Sequence, residues 1–402
     1  MERVILHCDC NSYFASVESI GKPAYKTVPM AVCGDAKSRR GIILAKNELA
    51  KGFGIVTAET VYSALRKCPH LLLVSPQHGK YTEYCKKINA VYEQYTDQVE
   101  AFGVDESWLD VTGSQHLFGT GKEIADELRR RIYEEFELTI SVGVSFNKVF
   151  AKLGSDYKKP NATTVITKEN YKRILWPLPA RDMLFVGKTA ADKLAAYGIL
   201  TIGDIAGAGA DMMQTLLGKT GETIWAYACG MDESPVRHAG EPSPVKSVSN
   251  GSTFYRDLVS EEDIRAALLM LCDNVATRLR RQGLYCTTVQ VQVKDPLLKV
   301  ISRQRKLPAP TNATRTLVQT AIDIMRASWK RGSPIRLLAV SAGGLTRDKT
   351  AQISLLNDGG AVARSERLDD AMDKIREKYG KEALQFGSTI RSDLKSGAKE
   401  KE

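Results

Sequence analysis

The sequence predicts an α+β protein of several domains, and three observations carry that reading. A β-α-β-β-α-β order of apolar patterns stands near the N-terminus, the same order recurs after Pro244, and a run of short helical patterns lies between the two copies. At 402 residues the chain is too long for one hydrophobic core, so about two to four domains are expected.

The first strand pattern is Val4-Ile5-Leu6-His7-Cys8, which ends on Asp9. Helical character follows from Ser12 to Ile20, and residues 21–76 are rich in small, basic and turn residues. Helical spacing returns at Tyr81, Tyr84, Ile88, Val91 and Tyr95. Two short strand patterns, Val99 to Val104 and Ser107 to Val111, then flank Asp105-Glu106. Ile124, Leu128, Ile132 and Phe136 mark an amphipathic helix, and Thr139 to Val144 a strand. With residues 21–76 set aside, this order builds an antiparallel sheet with two helices on one face. Its first strand is central and adjoins the hairpin, so Asp9, Asp105 and Glu106 converge at one end. Three carboxylates with oxygen donors alone suit a hard divalent cation such as Mg²⁺. Taken as a dipeptide alone, Asp105-Glu106 reads first as a polar turn.

Residues from about Lys168 to Arg237 are helical. Phe185-Val186-Gly187-Lys188 precedes a helix from Thr189 to Tyr197, with Gly198 as its C′ residue. Backbone N–H groups at such a helix start can grip a phosphate; a plain helix-turn-helix packing unit is the alternative. Gly240 to Pro244 reads as a linker.

The second copy runs through a strand from Val248 to Tyr255 and a helix opened by Ser260-Glu261-Glu262-Asp263. Val289, Val291 and Val293 alternate as a strand; Lys299 to Leu307, a helix from Thr314 to Trp329 and a strand from Ile335 to Val340 complete it. Basic residues crowd this part, among them Arg256, Arg303 and Arg305. Arg303 and Arg305 share a strand face, where they would track a sugar-phosphate backbone or form a solvated basic surface. Beyond Asp348 the chain is a polar tail, except for the apolar peptide Gln352-Ile353-Ser354-Leu355-Leu356, a candidate docking motif.

Composition narrows the function. A net charge of +10 favours a polyanionic partner, nucleic acid before membrane. No apolar run approaches the roughly 18 residues of a membrane span. The cysteines include no CxxC pair and the histidines show no zinc-ligand spacing with them; reduced, mostly buried thiols of a cytoplasmic protein are expected.

Several of these pieces resemble one family together. Asp9-Cys10-Asn11-Ser12-Tyr13-Phe14-Ala15-Ser16-Val17-Glu18 resembles the first catalytic motif of the Y-family, or translesion, DNA polymerases. Val104 to Thr112 resembles their second, and Ser141 to Ser145 with Asn147 to Leu153 and Lys159-Pro160-Asn161 their third. The resemblance implies a right-hand polymerase: a palm over 1–21 and 78–167, fingers over 22–77, a helical thumb over 168–239, a linker at 240–245, a little finger over 246–347 and a tail over 348–402. The predicted β-α-β-β-α-β copies coincide with the palm and the little finger.

The resemblance also assigns chemistry. Asp9, Asp105 and Glu106, with a backbone carbonyl near Cys10, are implied to hold two Mg²⁺ ions, for which Mn²⁺ can substitute. Phe14 falls at the steric gate that excludes a 2′-hydroxyl, beside Tyr13 in the nucleotide site, and Lys159 matches a lysine on the triphosphate. The family's Tyr-x-x-Arg pattern reads Glu48-Leu49-Ala50-Lys51 here, so Lys51 keeps the charge without the bidentate geometry; Lys46 is near enough to compensate. Gly187, Lys188, Arg256, Arg303 and Arg305 are the DNA-binding candidates. Gln352, Leu355 and Leu356 resemble the sliding-clamp motif of bacterial polymerases. The implied activity is template-directed addition of dNTPs to primer-template DNA, with low fidelity and processivity, by a monomer that tolerates damaged template. A nucleotidyl cyclase would leave the thumb, basic domain and clamp-like peptide without a role. A silent DNA-binding scaffold would not retain three acids near DNA.

Overall fold

The computed structural model describes residues 2–35, 41–241, 244–348 and 359–390, which fall into two compact units, Met1–Pro242 and Ser243–Glu402. In the first unit, β1 (Ile5–Cys10) leads into α1 (Tyr13–Ser19). Three short strands follow: β2 (Met30–Cys33), β3 (Ile43–Lys46), with α2 (Glu48–Gly52) after it, and β4 (Leu72–Val74). The chain then builds α3 (His78–Tyr92), β5 (Val99–Ala101), β6 (Glu106–Asp110), α4 (Gly121–Phe136), β7 (Ile140–Ser145), α5 (Lys148–Tyr157) and β8 (Thr163–Val165).

β1 is the central strand of a five-stranded sheet ordered β5-β6-β1-β7-β8, antiparallel to both β6 and β7. Alternation along β1 sends its side chains to two different neighbours. Leu6, Cys8 and Cys10 pack with Tyr81, Ile88 and Val91 of α3 and Ile124, Leu128 and Ile132 of α4. These are the two helices expected on one face. On the other face Ile5 packs with Trp108 and Ala151 of α5. Asp9, four residues on from Ile5, belongs to that second face.

Three elements differ from the sequence reading. β5 stops at Ala101 rather than Val104, because Phe102 and Val104, although apolar, are exposed in the turn. β8 adds a parallel partner to β7; a three-residue strand is too short to show a period. Residues 22–77 hold a three-stranded sheet ordered β3-β2-β4, with its own core of Ala31, Ile43, Ala50, Val61 and Ala64. Its small side chains gave no amphipathic signal.

A helical segment closes the first unit. Within it α6 (Lys188–Ala195) starts one residue before the expected helix, and Gly198 beyond its end takes φ +76°, a conformation that suits glycine.

The second unit consists of β9 (Ser247–Leu258), α7 (Glu261–Arg281), β10 (Tyr285–Lys294), β11 (Val300–Thr311), α8 (Thr314–Ser328), β12 (Ile335–Thr346) and α9 (Gly359–Tyr379). Its sheet is ordered β11-β10-β12-β9. The Ser260 hydroxyl accepts the Asp263 N–H at 3.0 Å and caps α7. Val289, Val291 and Val293 pack with Leu268, Leu271 and Val275 of α7 and Leu317, Ala321 and Ile324 of α8. The strands outrun the apolar patterns because their alternate residues are polar, Gln290 and Gln292 among them.

α9 lies where the sequence reading has only a polar tail. The charges it turns toward the unit, Asp369, Asp373 and Arg376, are matched by protein partners. Arg280 pairs with Asp369 at 3.3 Å and Asp373 at 2.6 Å, and Arg376 with Asp273 at 3.0 Å. Such a helix carries no long apolar stripe to read. Gln352, Leu355 and Leu356 lie outside the described residues. Among the described residues no helix is long and apolar enough to cross a membrane. Six of the eight cysteines are buried, and all are free thiols.

Candidate active site

The three acids meet at one end of the first sheet. Asp9 is the direct cross-strand partner of Glu106 in the β1–β6 pair. Asp105 sits one residue before β6, and its carbonyl accepts the Cys10 N–H at 2.9 Å. That bond ties the hairpin tip to the end of β1. What Cys10 contributes there is backbone, since its thiol is buried and burial pushes it well above its usual range.

The electrostatics of the acids are unequal. Burial and the charges of Asp9 and Glu106 push the Asp105 carboxyl up to about 6. Burial opposes ionisation of Glu106 as well, but His7 and Lys152 outweigh it and bring the carboxyl down to about 2. Lys152, from α5, donates directly to Glu106 Oε2. His7 Nε2 lies 3.3 Å from the same oxygen, and burial lowers the pKa of this imidazole, so a neutral ring faces the carboxylate. Like charges crowded until one resists ionisation are what a cation would relieve. One ligand atom each from His7, Asp9 and Glu106 lie within 4.8 Å of one another. Asp105, which the charges of Asp9 and Glu106 reach, adds a third carboxylate to that group, and such a donor set fits a divalent ion.

Lysines face the acids from the third motif. Lys159 Nζ lies 2.8 Å from Asp9 Oδ2 and 2.6 Å from Asp156 Oδ1. Its loop is stitched to the end of β1, where Asn11 Oδ1 accepts the Asn161 N–H at 2.9 Å and Asn11 donates to Ser141 Oγ at 2.8 Å. Lys159 is thus brought to the acids. Lys51 is held differently, in a 2.5 Å pair with Glu48, whose Oε1 also accepts from Ser12 Oγ at 3.2 Å. Lys46 donates to Thr57 Oγ1 at 2.9 Å; burial and the charge of Lys51 hold its ammonium below its usual range.

Phe14 stacks on Tyr81, with ring centroids 4.1 Å apart and planes 12° apart. The Tyr81 hydroxyl donates to the buried Glu18 at 2.7 Å. Tyr13 turns into the core instead, its hydroxyl donating to the Tyr81 carbonyl at 2.7 Å. A nucleotide would therefore meet the backbone of Tyr13 rather than its ring.

The DNA-binding candidates are dispersed. Gly187 is the N-cap of α6 and Lys188 its first residue. Arg256 pairs with Asp263 at 2.8 Å. Arg303 and Arg305 sit opposite Val291 and Val289 in the β11–β10 register, so they share the helix-covered face of an edge strand. There Arg305 meets Asp323 of α8 at 3.4 Å.

Sequence reasoning missed Lys152 and His7. His7 stands two residues before Asp9 and so on the same face, which was the available signal. Lys152 lies inside the third motif, four residues after Lys148, one helical turn along α5.

Residues 8–156 match the model of the impB/mucB/samB family, and residues 245–355 match the C-terminal domain of that family. A DNA polymerase IV of Acetivibrio thermocellus is 44% identical, over 96% of this chain and 97% of its own. A DNA polymerase IV of Clostridium acetobutylicum is 35% identical, over 94% of this chain and 96% of its own. The solved structure of a Y-family DNA polymerase chimera superposes with a TM-score of 0.74 at 22% identity, covering 85% of this chain and 98% of the chimera.

The fold is therefore that of a Y-family polymerase. The chain belongs to the impB/mucB/samB family of DNA-directed DNA polymerases of the translesion class.

Proposed function

We propose that Asp9, Asp105 and Glu106 form a two-Mg²⁺ centre that adds dNTPs to the 3′ end of a primer on damaged as well as intact template. The observation that carries this reading is the convergence of the three acids at the end of β1 and β6, with Asp105 held up to about 6 by burial and by the other two. When bound, such ions lower the pKa of the primer 3′-hydroxyl and neutralise the triphosphate and departing pyrophosphate; Mn²⁺ can take their place. The chain's own part is positioning. Lys159 leaves Asp9 for the triphosphate, and Lys152 and His7 keep Glu106 ionised. Phe14, braced by Tyr81, closes the floor beneath the sugar, so a 2′-hydroxyl is rejected by repulsion.

The domain roles follow. Residues 1–21 and 78–167 act as palm, 22–77 as fingers, 168–239 as thumb and 246–347 as little finger, joined by 240–245. Gly187, Lys188, Arg256, Arg303 and Arg305 are proposed to hold the DNA backbone. Gln352, Leu355 and Leu356 are proposed to dock a sliding clamp. The enzyme is proposed to act as a cytoplasmic monomer of low processivity and fidelity.

Primer extension with Mg²⁺ and single dNTPs, on intact template, across an abasic site and across an alkylated guanine, tests the reading. Extension past a lesion that disappears in Asp105→Asn supports it; extension that survives the substitution overturns it. Clamp-stimulated synthesis that survives Gln352→Ala with Leu355→Ala overturns the docking role.

A further inference from the structure

His7 is buried in the palm, with no exposed surface, and polar groups lie at both ring nitrogens. Nδ1 is 2.8 Å from Ser155 Oγ on α5. Nε2, also buried, has no partner in hydrogen-bond geometry among the described residues and faces Glu106 Oε2 at 3.3 Å. A buried imidazole without a partner on one nitrogen costs free energy, so the placement calls for an explanation beyond packing.

The proton inventory gives one. Ser155 has a single hydroxyl proton and two acceptors within reach, His7 Nδ1 and the Lys152 carbonyl at 2.8 Å. If the proton goes to Lys152, Nδ1 must carry the ring hydrogen and Nε2 turns a lone pair on the ionised Glu106, which is repulsive. If the proton goes to Nδ1, the hydrogen sits on Nε2, on the side of Glu106 Oε2 at 3.3 Å, where a small turn of the carboxylate completes the bond. An ionised Glu106 selects the second arrangement.

We propose that His7 is a positioning residue for the metal centre: a Ser155–His7–Glu106 relay fixes the tautomer of His7 so that Nε2–H orients the Glu106 carboxylate for ion binding. The relay is second to the ion and touches neither substrate nor primer. It has rigid supports at both ends. Trp108 packs edge-on to the His7 ring at 5.2 Å and donates its indole N–H to the Lys148 carbonyl at 2.9 Å. α5, which carries Ser155, is pressed on β7 at Gly143, where a Cβ would lie 2.4 Å from the Ser155 nitrogen. Lys152 supplies charge to Glu106 but, on a long flexible stem, little direction. The aromatic ring supplies the direction.

The inference rests on the metal-centre reading above, and the test separates the two. Full-length His7→Phe, His7→Gln and Ser155→Ala are compared with wild type and Asp105→Asn for kcat, the KM for dNTP, the Mg²⁺ concentration at half-maximal rate, the Kd for primer-template DNA and the thermal midpoint. In His7→Phe, kcat falls and the half-saturating Mg²⁺ rises, by about 10- to 100-fold combined, the range for outer-shell partners of metal ligands. DNA affinity and the KM for dNTP hold. Glutamine places an N–H near the position of Nε2, so His7→Gln restores most of the loss. Wild-type kcat and Mg²⁺ dependence in His7→Phe, or His7→Gln as impaired as His7→Phe, overturns the proposal. Should His7→Phe fail to fold, Ser155→Ala decides it: the same rise in half-saturating Mg²⁺ supports the relay, and wild-type values overturn it. Wild-type protein without Mg²⁺-dependent extension would instead overturn the metal-centre reading itself.

Discussion

Asp9 and Glu106 face one another across neighbouring antiparallel strands, yet each is met by a different lysine, Asp9 by Lys159 and Glu106 by Lys152. Asp105, at the hairpin tip between them, is pushed up by burial and by the charges of both, which Lys159 offsets only in part. The ionised form of Asp105 is thus the most strained of the three, by burial first and then by the charges of Asp9 and Glu106.

That strain has a sign. The Asp105 carboxyl stands at about 6 in the folded protein against an ordinary 3.8. Between these values the folded state binds more protons than the unfolded one, so stability of the metal-free protein falls as pH rises through the window. Glu106 runs the other way: brought down to about 2 from 4.5, its stabilising share is present above 4.5 and lost only as pH falls toward 2. Thermal unfolding in EDTA and in Mg²⁺ checks this. Mg²⁺ should raise the midpoint clearly at about pH 7.5 and hardly at about pH 5, where Asp105 is protonated. Asp105→Asn should raise the metal-free midpoint at the higher pH, abolish the Mg²⁺ effect and lower kcat by about 10³-fold or more, the scale of several kcal/mol of lost charge stabilisation. A midpoint that ignores both Mg²⁺ and the substitution would sink the account.

Phe14 can exclude a sugar hydroxyl only if it does not yield. Its stacking on Tyr81, itself anchored through Glu18 and the Gln77 N–H at 3.0 Å, supplies the stiffness. Phe14→Ala should therefore admit ribonucleotides at least about tenfold more readily, a change worth about 1.4 kcal/mol. Tyr81→Ala should produce a smaller loss in the same direction, because the gate remains but its brace is gone. Competing dNTP and rNTP incorporation by the variants measures both. Unchanged sugar selection in Phe14→Ala contradicts the assignment.

The central strand, the two helices over one face and the convergence of the acids were legible in the sequence because apolar periodicity and chain order determine them. The partners of the acids were not. Lys152 and Ser155 are brought to β1 by a helix that crosses the other face of the sheet, and nothing in a one-dimensional pattern says which turn of α5 lands beside His7. The three-stranded sheet of residues 22–77 was illegible for another reason, since strands of three or four residues carry too few alternations to register. α9 escaped because its buried contacts are ionic, and a matched pair of charges reads as polar surface until its partner is known.

The crossing of α5 depends on Gly143. A Cβ there would stand 1.8 Å from the Ala151 carbonyl oxygen and 2.4 Å from the Ser155 nitrogen, both backbone atoms of the helix. No rotamer relieves such a contact, so Gly143→Ala must push α5 off β7 at a cost of about 3 kcal/mol or more, the upper end for overpacked cores. Urea denaturation should show a lower midpoint with an unchanged slope. Because Lys152 and Ser155 move with the helix, the half-saturating Mg²⁺ should rise as well. Wild-type stability in Gly143→Ala would mean that the close approach is not rigid.

The remaining prediction concerns α9. Arg280, 8% exposed at its side chain, joins Asp369 and Asp373 of α9 to the Asn312 carbonyl at 3.0 Å. Asp369 also accepts the Thr314 N–H at 2.8 Å, at the first residue of α8. Truncating the arginine leaves two acids facing one another in a half-dry contact, and breaking a buried pair from one side costs about 3–5 kcal/mol. A helix joined to its unit mainly through such pairs should then detach before the sheet beneath it melts. Limited proteolysis of Arg280→Ala should cut within residues 359–390 well before the remainder of the second unit. Arg280→Lys should protect only partly, since a point charge cannot reach both acids and the carbonyl in the planar fork that arginine offers. The triple variant Arg280→Ala, Asp369→Asn, Asp373→Asn should regain resistance relative to Arg280→Ala, because the stranded charges are gone. Equal protease resistance in all of these variants would show that α9 is held by its apolar contacts, such as Met372, and not by the ion pairs.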